Sequence, residues 1–250
     1  MRGCSSDPPT PGRCYGVAGR TDKSQIRRNV CWALQCSVCG QDCEKQNPIV
    51  VLFVAVQLLD FLWAPFVLLG IEKVRIVPGI TATSPLDLYY MPYTHSLIGA
   101  LVWSGAAFFI YKLMQGSRAS NSAALIVGLA VFSHWVLDLI VHRPDLAVYD
   151  DTLKVGFGLW NHKGVEFAVE IGILAIGIVL YLKLNVISSV SRKISIVVFG
   201  AFLILVQTQT TFGSRPFSSG RVVAITALVF YTLFAAVAFL LEKQQRTRAL

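Results

Sequence analysis

Six long apolar stretches constrain this chain more than any other feature of its sequence. They lie near residues 49–70, 95–114, 123–141, 165–183, 194–212 and 221–241, and each is close to the ~20 residues that cross a ~30 Å hydrocarbon core as a helix. Backbone polar groups in lipid must be bonded internally, and these stretches lack the alternation of a barrel strand. The sequence therefore predicts an all-α, polytopic membrane bundle of about six transmembrane helices.

The composition agrees with a membrane protein. Only 14% of the 250 residues are charged and 54% are hydrophobic, whereas soluble domains carry roughly 25% charged residues. The net charge of +8 does not indicate nucleic acid, because the basic residues are scattered over tails and loops and form no basic helix. The expected partner is thus the lipid bilayer, and the oligomeric state is left open.

Three segments are predicted along the chain: a disordered tail at 1–46, the six-helix domain at 47–242, and a short basic tail at 243–250. Every cysteine precedes the first helix: Cys4, Cys14, Cys31, Cys36, Cys39 and Cys43. The last four resemble a zinc knuckle but lack a second Cys-x2-Cys pair. The Pro-rich surroundings favour a disordered tail, and a start codon assigned too early is the alternative.

The helices alternate in direction, which divides the loops between two sides of the membrane. Loops 71–94, 142–164 and 213–220 share one side, here called the loop face; the termini and the loops near 115–122 and 184–193 share the other, the terminal face. Of the 22 Lys and Arg, 15 belong to the terminal face and 7 to the loop face. The positive-inside rule therefore predicts cytoplasmic termini, although without the tail the counts are 8 and 7.

Titratable side chains are concentrated towards the loop face. All four histidines and nine of the 14 acids lie in its loops or in the helix halves nearest to it. A charged side chain at the bilayer centre costs about 2.5–3.5 kcal/mol on insertion scales, so each one needs a partner or a purpose. The residues inside or at the ends of apolar stretches are Asp60, His95, the i, i+4 series His134, Asp138 and His142, and the pair Glu166 and Glu170.

Imidazole and carboxylate groups from separate helices form the ligand set that zinc, manganese or non-haem iron prefers. A divalent ion would offset the buried acids and lower the pKa of a bound water to about 7, which favours hydrolysis. The predicted metal ligands are His95, His134, Asp138 and His142, with Asp60 or Glu166 as a further ligand or general base. Alternatively, these side chains only connect the bundle: His134 bonds Asp138, His95 caps helix two, and Asp60 pairs with Gln57 or with an arginine of the loop face.

Two short motifs carry a family resemblance. Tyr93-Thr94-His95-Ser96-Leu97, followed by Ser133-His134-Trp135-Val136-Leu137-Asp138, resembles the Thr-His-Ser and Ser-His-x-x-x-Asp signatures of the YdjM-like group of bacterial inner-membrane metal-dependent hydrolases. The resemblance covers helices two and three. It implies a metal site and a bacterial inner-membrane location. That family usually has a further histidine about three residues before Thr-His-Ser, where this chain has Met91-Pro92-Tyr93, and Asp60 or His142 is the candidate substitute.

Three functional hypotheses follow. The first is a membrane-embedded metal-dependent hydrolase that acts on a lipid-linked or amphiphilic substrate at the loop face. The second is a transporter or permease in which the same carboxylates relay protons or bind a cation. Paired Gly/Pro interruptions of helices are lacking, and the polar groups stop near mid-membrane, which disfavours transport. The third is a non-catalytic scaffold.

Three further expectations concern the start of helix two, the segment 156–159 and His162. Helix two is predicted to start near Thr94, which would leave His95 near the membrane surface while His134 lies roughly 10 Å deeper at 1.5 Å per residue. Gly156-Phe157-Gly158-Leu159 is not a phosphate loop, because no Lys-Ser/Thr pair follows it. His162 is expected to be a solvated surface histidine.

Overall fold

The computed structural model describes residues 49–116, 120–184, 190–213 and 218–246, which are mainly helical. The predicted cysteine-containing tail at 1–46 lies outside the described residues. In chain order the elements are α1 (Ile49–Val56), α2 (Leu58–Leu68), β1 (Lys73–Ile76), β2 (Leu86–Tyr90), α3 (Leu97–Gln115), α4 (Asn121–Val141), a 3-10 turn (Leu159–Asn161), α5 (Lys163–Leu184), α6 (Val190–Phe212) and α7 (Gly220–Arg246).

The predicted helical membrane bundle is confirmed. Among the described residues, helices α3 to α7 are each long and apolar enough to cross a membrane, and α1 and α2 meet the same criteria only as a pair bent by 52°, which gives five or six spans. The expectation of one continuous first helix was wrong. The break is at Gln57, where the carbonyl of Val56 accepts a hydrogen bond from His134 Nδ1 at 2.9 Å. A side chain that binds a helix carbonyl in this way is a recognised cause of a sharp bend.

Helices α3 and α4 form the closest pair, as the short connection between them predicts. Their backbones approach at Gly128, where an added Cβ would lie 3.0 Å from the carbonyl oxygen of Ser104. Small residues allow such an approach between membrane helices. Helices α1 and α2 pack between α4 and α7, while α5 and α6 pack mainly on each other.

The first long loop contains a β-hairpin that sequence reasoning missed. Strands β1 and β2 pair antiparallel, with Arg75 opposite Asp87, and Arg75 Nε donates to Asp87 Oδ2 at 2.5 Å. Pro78 and Gly79 form a turn in the hairpin loop: Gly79 has a φ of +80°, and the Ile80 amide donates to the Val77 carbonyl at 3.2 Å. This matches a type II turn, which requires a positive φ at its third residue.

The second long loop folds back over the start of α3. The amides of Leu97 and Ile98 donate to the carbonyls of Ala147 and Val148 at 3.0 and 3.2 Å, so the loop satisfies two of the N–H groups that a helix start leaves unpaired. The second loop therefore packs against the backbone of the first turn of α3, while the Ile98 side chain stays exposed. Helix α3 begins at Leu97 and not at Thr94, and its cap is Ser96, whose Oγ accepts from the Gly99 amide at 2.9 Å.

Candidate metal centre

Three helical segments bring Asp60, His95 and His134 together. Asp60 lies on α2 just after the bend, His95 immediately before α3, and His134 on α4. One ligand atom from each residue lies within 4.8 Å of the other two. Asp60 Oδ1 is 3.4 Å from His95 Nε2 and 3.8 Å from His134 Nε2. The sequence prediction that these residues share a site is consistent with this geometry.

Asp138 adds a second carboxylate to the same cluster. Its Oδ2 lies 3.3 Å from His134 Nε2 and 3.6 Å from His95 Nε2. This oxygen is buried and accepts no well-formed hydrogen bond from any described residue. The indole N–H of Trp63, whose ring lies edge-on to His95 with centroids 6.4 Å apart, is also buried and without an acceptor among the described residues. A buried donor and a buried acceptor thus adjoin one imidazole.

Hydrogen bonds at Nδ1 orient both imidazoles. His134 Nδ1 lies 2.9 Å from the Val56 carbonyl, which can only accept, so this nitrogen carries a proton. His95 Nδ1 lies 2.7 Å from Thr94 Oγ1, whose own hydroxyl donates to Glu72 Oε2 at 2.6 Å. In the neutral form of each ring, Nε2 then presents its lone pair to the cluster. Metal-binding histidines are commonly fixed in this way, through a hydrogen bond at the other nitrogen.

Each carboxylate is also held by its second oxygen. Gln57 Nε2 donates to Asp60 Oδ2 at 2.5 Å, which leaves Oδ1 facing the histidines. This is the Gln57–Asp60 contact expected if the residues only connect the bundle, and it is compatible with both interpretations. Tyr231 of α7 also interacts with the Asp60 carboxylate. Asp138 Oδ1 lies 3.8 Å from His142 Nε2, so both carboxylates turn one oxygen inwards.

The spacing between the four side chains is compatible with a shared cation, since three of their four contacts fall in the range of atoms that ligate one ion. Charge-assisted hydrogen bonds measure about 2.7–2.9 Å, whereas the four contacts between histidine nitrogens and carboxylate oxygens range from 3.3 to 3.8 Å. Ligand atoms about 2.0–2.2 Å from a tetrahedral ion lie about 3.3–3.6 Å apart. Two ionised carboxylates beside two neutral imidazoles leave a net negative charge, which one divalent cation would balance.

The predicted difference in depth between His95 and His134 is not found. Their ring centroids are 5.6 Å apart, and His95 is buried, with 4% of its surface exposed. The second loop covers the start of α3, so His95 lies below the surface of the protein. Trp135 Nε1 donates to the His95 carbonyl at 3.0 Å and ties this segment to α4.

His142 lies behind Asp138, on the side of the loop face. Its Nδ1 is 3.0 Å from Asp145 Oδ1, and its ring packs on Trp160 with centroids 4.1 Å apart. Arg143 donates to Asp145 and Asp87. The predicted ligand His142 thus contacts Asp138 and does not belong to the group formed by Asp60, His95 and His134.

The remaining candidates lie elsewhere. Glu166 is buried in the first turn of α5 and is not part of the three-residue group around Asp60. Glu170 accepts a hydrogen bond from Gln207 of α6, and Gln207 also donates to Thr211 at 3.1 Å. His162 is exposed, as expected.

Glu72 is the main residue that sequence reasoning missed. It is 1% exposed, and its Oε1 accepts from the amides of Tyr93 and Thr94, both at 2.9 Å. Burial raises the pKa of this carboxyl, and the hydrogen bonds from Thr94 and Tyr93 oppose that rise. Its sequence position, directly after an apolar helix, gave no indication of a partner 22 residues away. The Thr-His-Ser motif was the only available signal, because it contains Thr94.

The chain was compared with protein-family models, curated proteins and solved structures, and none of them matches it.

Proposed function

We propose that this protein is a membrane-embedded, metal-dependent hydrolase whose ion is held by Asp60, His95 and His134. The observation that carries the proposal is the pair of imidazoles whose Nδ1 atoms are engaged elsewhere and whose Nε2 atoms face two inward carboxylate oxygens. Two histidines and one carboxylate form a ligand set of catalytic zinc sites, which keep a further position open for water. Asp60 takes the place of the histidine that the YdjM-like motif has before Thr-His-Ser.

Asp60, His95 and His134 would hold the ion, and its chemistry would be to activate water as a nucleophile at neutral pH. Asp138 is assigned as general base, because its Oδ2 borders both Nε2 atoms and accepts no well-formed hydrogen bond from a described residue. His142 contacts the outer oxygen of Asp138 and is fixed by Asp145. His142 and Asp145 therefore keep the Asp138 carboxylate oriented towards the cluster.

The substrate class follows from where the cluster lies. Asp60 and His134 lie within membrane-spanning helices, and the loop-face hairpin and second loop cover the site. This location supports a substrate whose scissile bond lies close to the hydrocarbon region. An amphiphile whose polar linkage sits near its apolar chain has this arrangement, and we propose a lipid-linked or amphiphilic ester as the substrate class.

Metal analysis of the purified protein tests the proposal. We expect about one equivalent of zinc, manganese or iron per chain. A chelator should remove this metal, and the protein should then lose its hydrolysis of amphiphilic ester substrates. Asp138→Asn is expected to retain the ion and lose hydrolysis, since it removes the base and leaves the three ligands. His162→Ala is the matched control, because it removes an exposed histidine on the same face. Metal-free wild-type protein after purification without chelators would contradict the proposal.

The orientation is a separate proposal that rests on charge distribution. We propose that the termini are cytoplasmic and that the metal centre opens to the opposite side of a bacterial inner membrane. A reporter enzyme that is active only in the cytoplasm is expected to be active when it is fused after Leu250. The same reporter inserted in the loop between β1 and β2 should give the opposite result. A C-terminal fusion that reads as external would reverse the assignment.

A further inference from the structure

We infer that Glu72 is a positioning residue that sets the tautomer of His95 through the hydroxyl of Thr94. This inference rests on the proposed metal function for its biological meaning, but it concerns a hydrogen-bond chain that can be measured without metal. The chain runs from Glu72 Oε2 to Thr94 Oγ1 at 2.6 Å and from Thr94 Oγ1 to His95 Nδ1 at 2.7 Å. Glu72, Thr94 and His95 are at most 4% exposed, so water has little access to these atoms.

The direction of each hydrogen bond follows from the groups involved. A carboxylate has no proton to donate, so the Thr94 hydroxyl gives its single proton to Glu72. The same oxygen can then only accept from His95, which places the ring proton on Nδ1. Nε2 is left with a lone pair directed at Asp60 and Asp138, as a metal ligand requires. Glu72 therefore acts on the cluster without touching it.

Two backbone hydrogen bonds keep Glu72 in the position that this chain needs. Its Oε1 accepts from the amides of Tyr93 and Thr94, while its own amide donates to the Phe66 carbonyl at 3.2 Å. Glu72 thereby joins the end of α2, through its backbone amide, to the segment that carries His95, through its carboxylate. One side chain fixes both the height of His95 and its protonated nitrogen.

The substitution Glu72→Gln separates these two roles. The amide oxygen of Gln can still accept from the Tyr93 and Thr94 amides, which preserves the backbone connection. Its NH2 group then faces Thr94 Oγ1 and can only donate. The hydroxyl must turn its proton to His95 Nδ1, so the ring proton moves to Nε2 and blocks the lone pair. Thr94→Val removes the link altogether, and Thr94→Ser retains it.

Nitrogen NMR of histidine-labelled, metal-free protein tests the inference at about pH 9, above the ordinary histidine pKa of about 6.5. The His95 signals are assigned by their loss in His95→Gln. Wild type and Thr94→Ser are expected to show the Nδ1–H form of His95, and Glu72→Gln the Nε2–H form. Thr83→Val is the control, because Thr83 is a buried threonine whose hydroxyl, among the described residues, bonds the Trp160 carbonyl alone, at 3.1 Å. It should leave His95 unchanged.

Zinc titration provides the second measurement. Loss of a hydrogen bond to the outer nitrogen of a ligating histidine typically weakens metal affinity about 10- to 100-fold, and we expect losses of this order in Glu72→Gln and Thr94→Val. The double variant should be no weaker than the worse single one, since both changes break one chain. An unchanged His95 tautomer in Glu72→Gln would overturn the inference. A tautomer switch in a protein that binds no zinc would uphold it and refute the metal function instead.

Discussion

Asp60→Ala and His134→Ala are each expected to lose the bound ion almost completely while the protein still inserts into the membrane. Each change removes one of three ligands, and metal content should fall from about one equivalent to less than about a tenth. Insertion should persist, because hydrophobicity drives it and both substitutions remove a polar group from a spanning helix. Metal content per folded chain, measured after size-exclusion chromatography in detergent, gives the result.

Ser133→Ala is the matched control on α4. The Ser133 hydroxyl donates to the Ala130 carbonyl at 2.7 Å, within its own helix, so its removal should leave the ion in place. The contrary result has a distinct form. If the four side chains are only an ion-pair network, wild type carries no metal and each single alanine variant loses about 3–5 kcal/mol of stability by leaving a buried charge unpaired. A His134→Ala/Asp138→Ala double variant would then recover much of that loss.

The two outcomes differ because the cluster must balance its charge in one of two ways. Two carboxylates in a membrane interior need either a cation or two protonated histidines nearby. Protonated histidines would donate from Nε2, and such bonds are short. The contacts observed, the closest of which is 3.3 Å, are longer than these bonds. The metal measurement therefore distinguishes the proposed cation from an ion-pair network directly.

The helices could be predicted from the sequence because membrane insertion depends on local hydrophobicity. An apolar stretch of about 20 residues has few other structures available to it, so α3 to α7 lie close to the predicted ranges. The bend at Gln57 could not be predicted in the same way. It depends on a hydrogen bond between Val56 and His134, which are 78 residues apart, and no local pattern in IVVLFVAVQLLD records that contact.

The candidate site also combines residues that local sequence could identify with one that depends on long-range contacts. Asp60, His95, His134 and Asp138 stood out because a polar side chain in an apolar helix is costly and needs a reason. Glu72 stood out less, because a carboxylate in a loop is ordinary. Its burial arises only when the hairpin and the second loop close over the start of α3. Long-range loop packing thus determines the part of the site that the sequence left open, including the depth of His95.

Gly156→Ala is expected to disrupt the end of α4 more than any other single-methyl change in the loops. An added Cβ would lie 2.2 Å from the Arg143 carbonyl oxygen and 2.6 Å from that of His142. Both atoms belong to the backbone, so no side-chain rotation can relieve the contact. Gly156 also has a φ of +156°, a region that is essentially restricted to glycine and costs other residues about 1–3 kcal/mol. The clash adds to this strain.

The segment after Gly156 explains why the damage should reach the metal centre. The amides of Phe157 and Gly158 donate to the carbonyls of Leu139 and His142 at 2.8 and 2.6 Å. These donors cap the end of α4, which also accounts for the lack of phosphate-loop character in this Gly-x-Gly sequence. Asp138 precedes Leu139 directly. Displacing residues 156–158 therefore moves the last turn of α4, and with it the assigned general base.

We expect Gly156→Ala to lower thermal stability in detergent by several degrees and to reduce hydrolysis more strongly than metal content. Asp60 and His95 lie outside α4, and His134 lies about two turns before its end, whereas Asp138 is in its last turn and His142 directly follows it. Gly164→Ala is the control, because an added Cβ there meets nothing within 4 Å and alanine favours a helix by up to about 1 kcal/mol over glycine. A Gly156→Ala protein as stable and active as Gly164→Ala would show that the loop does not hold the base in position.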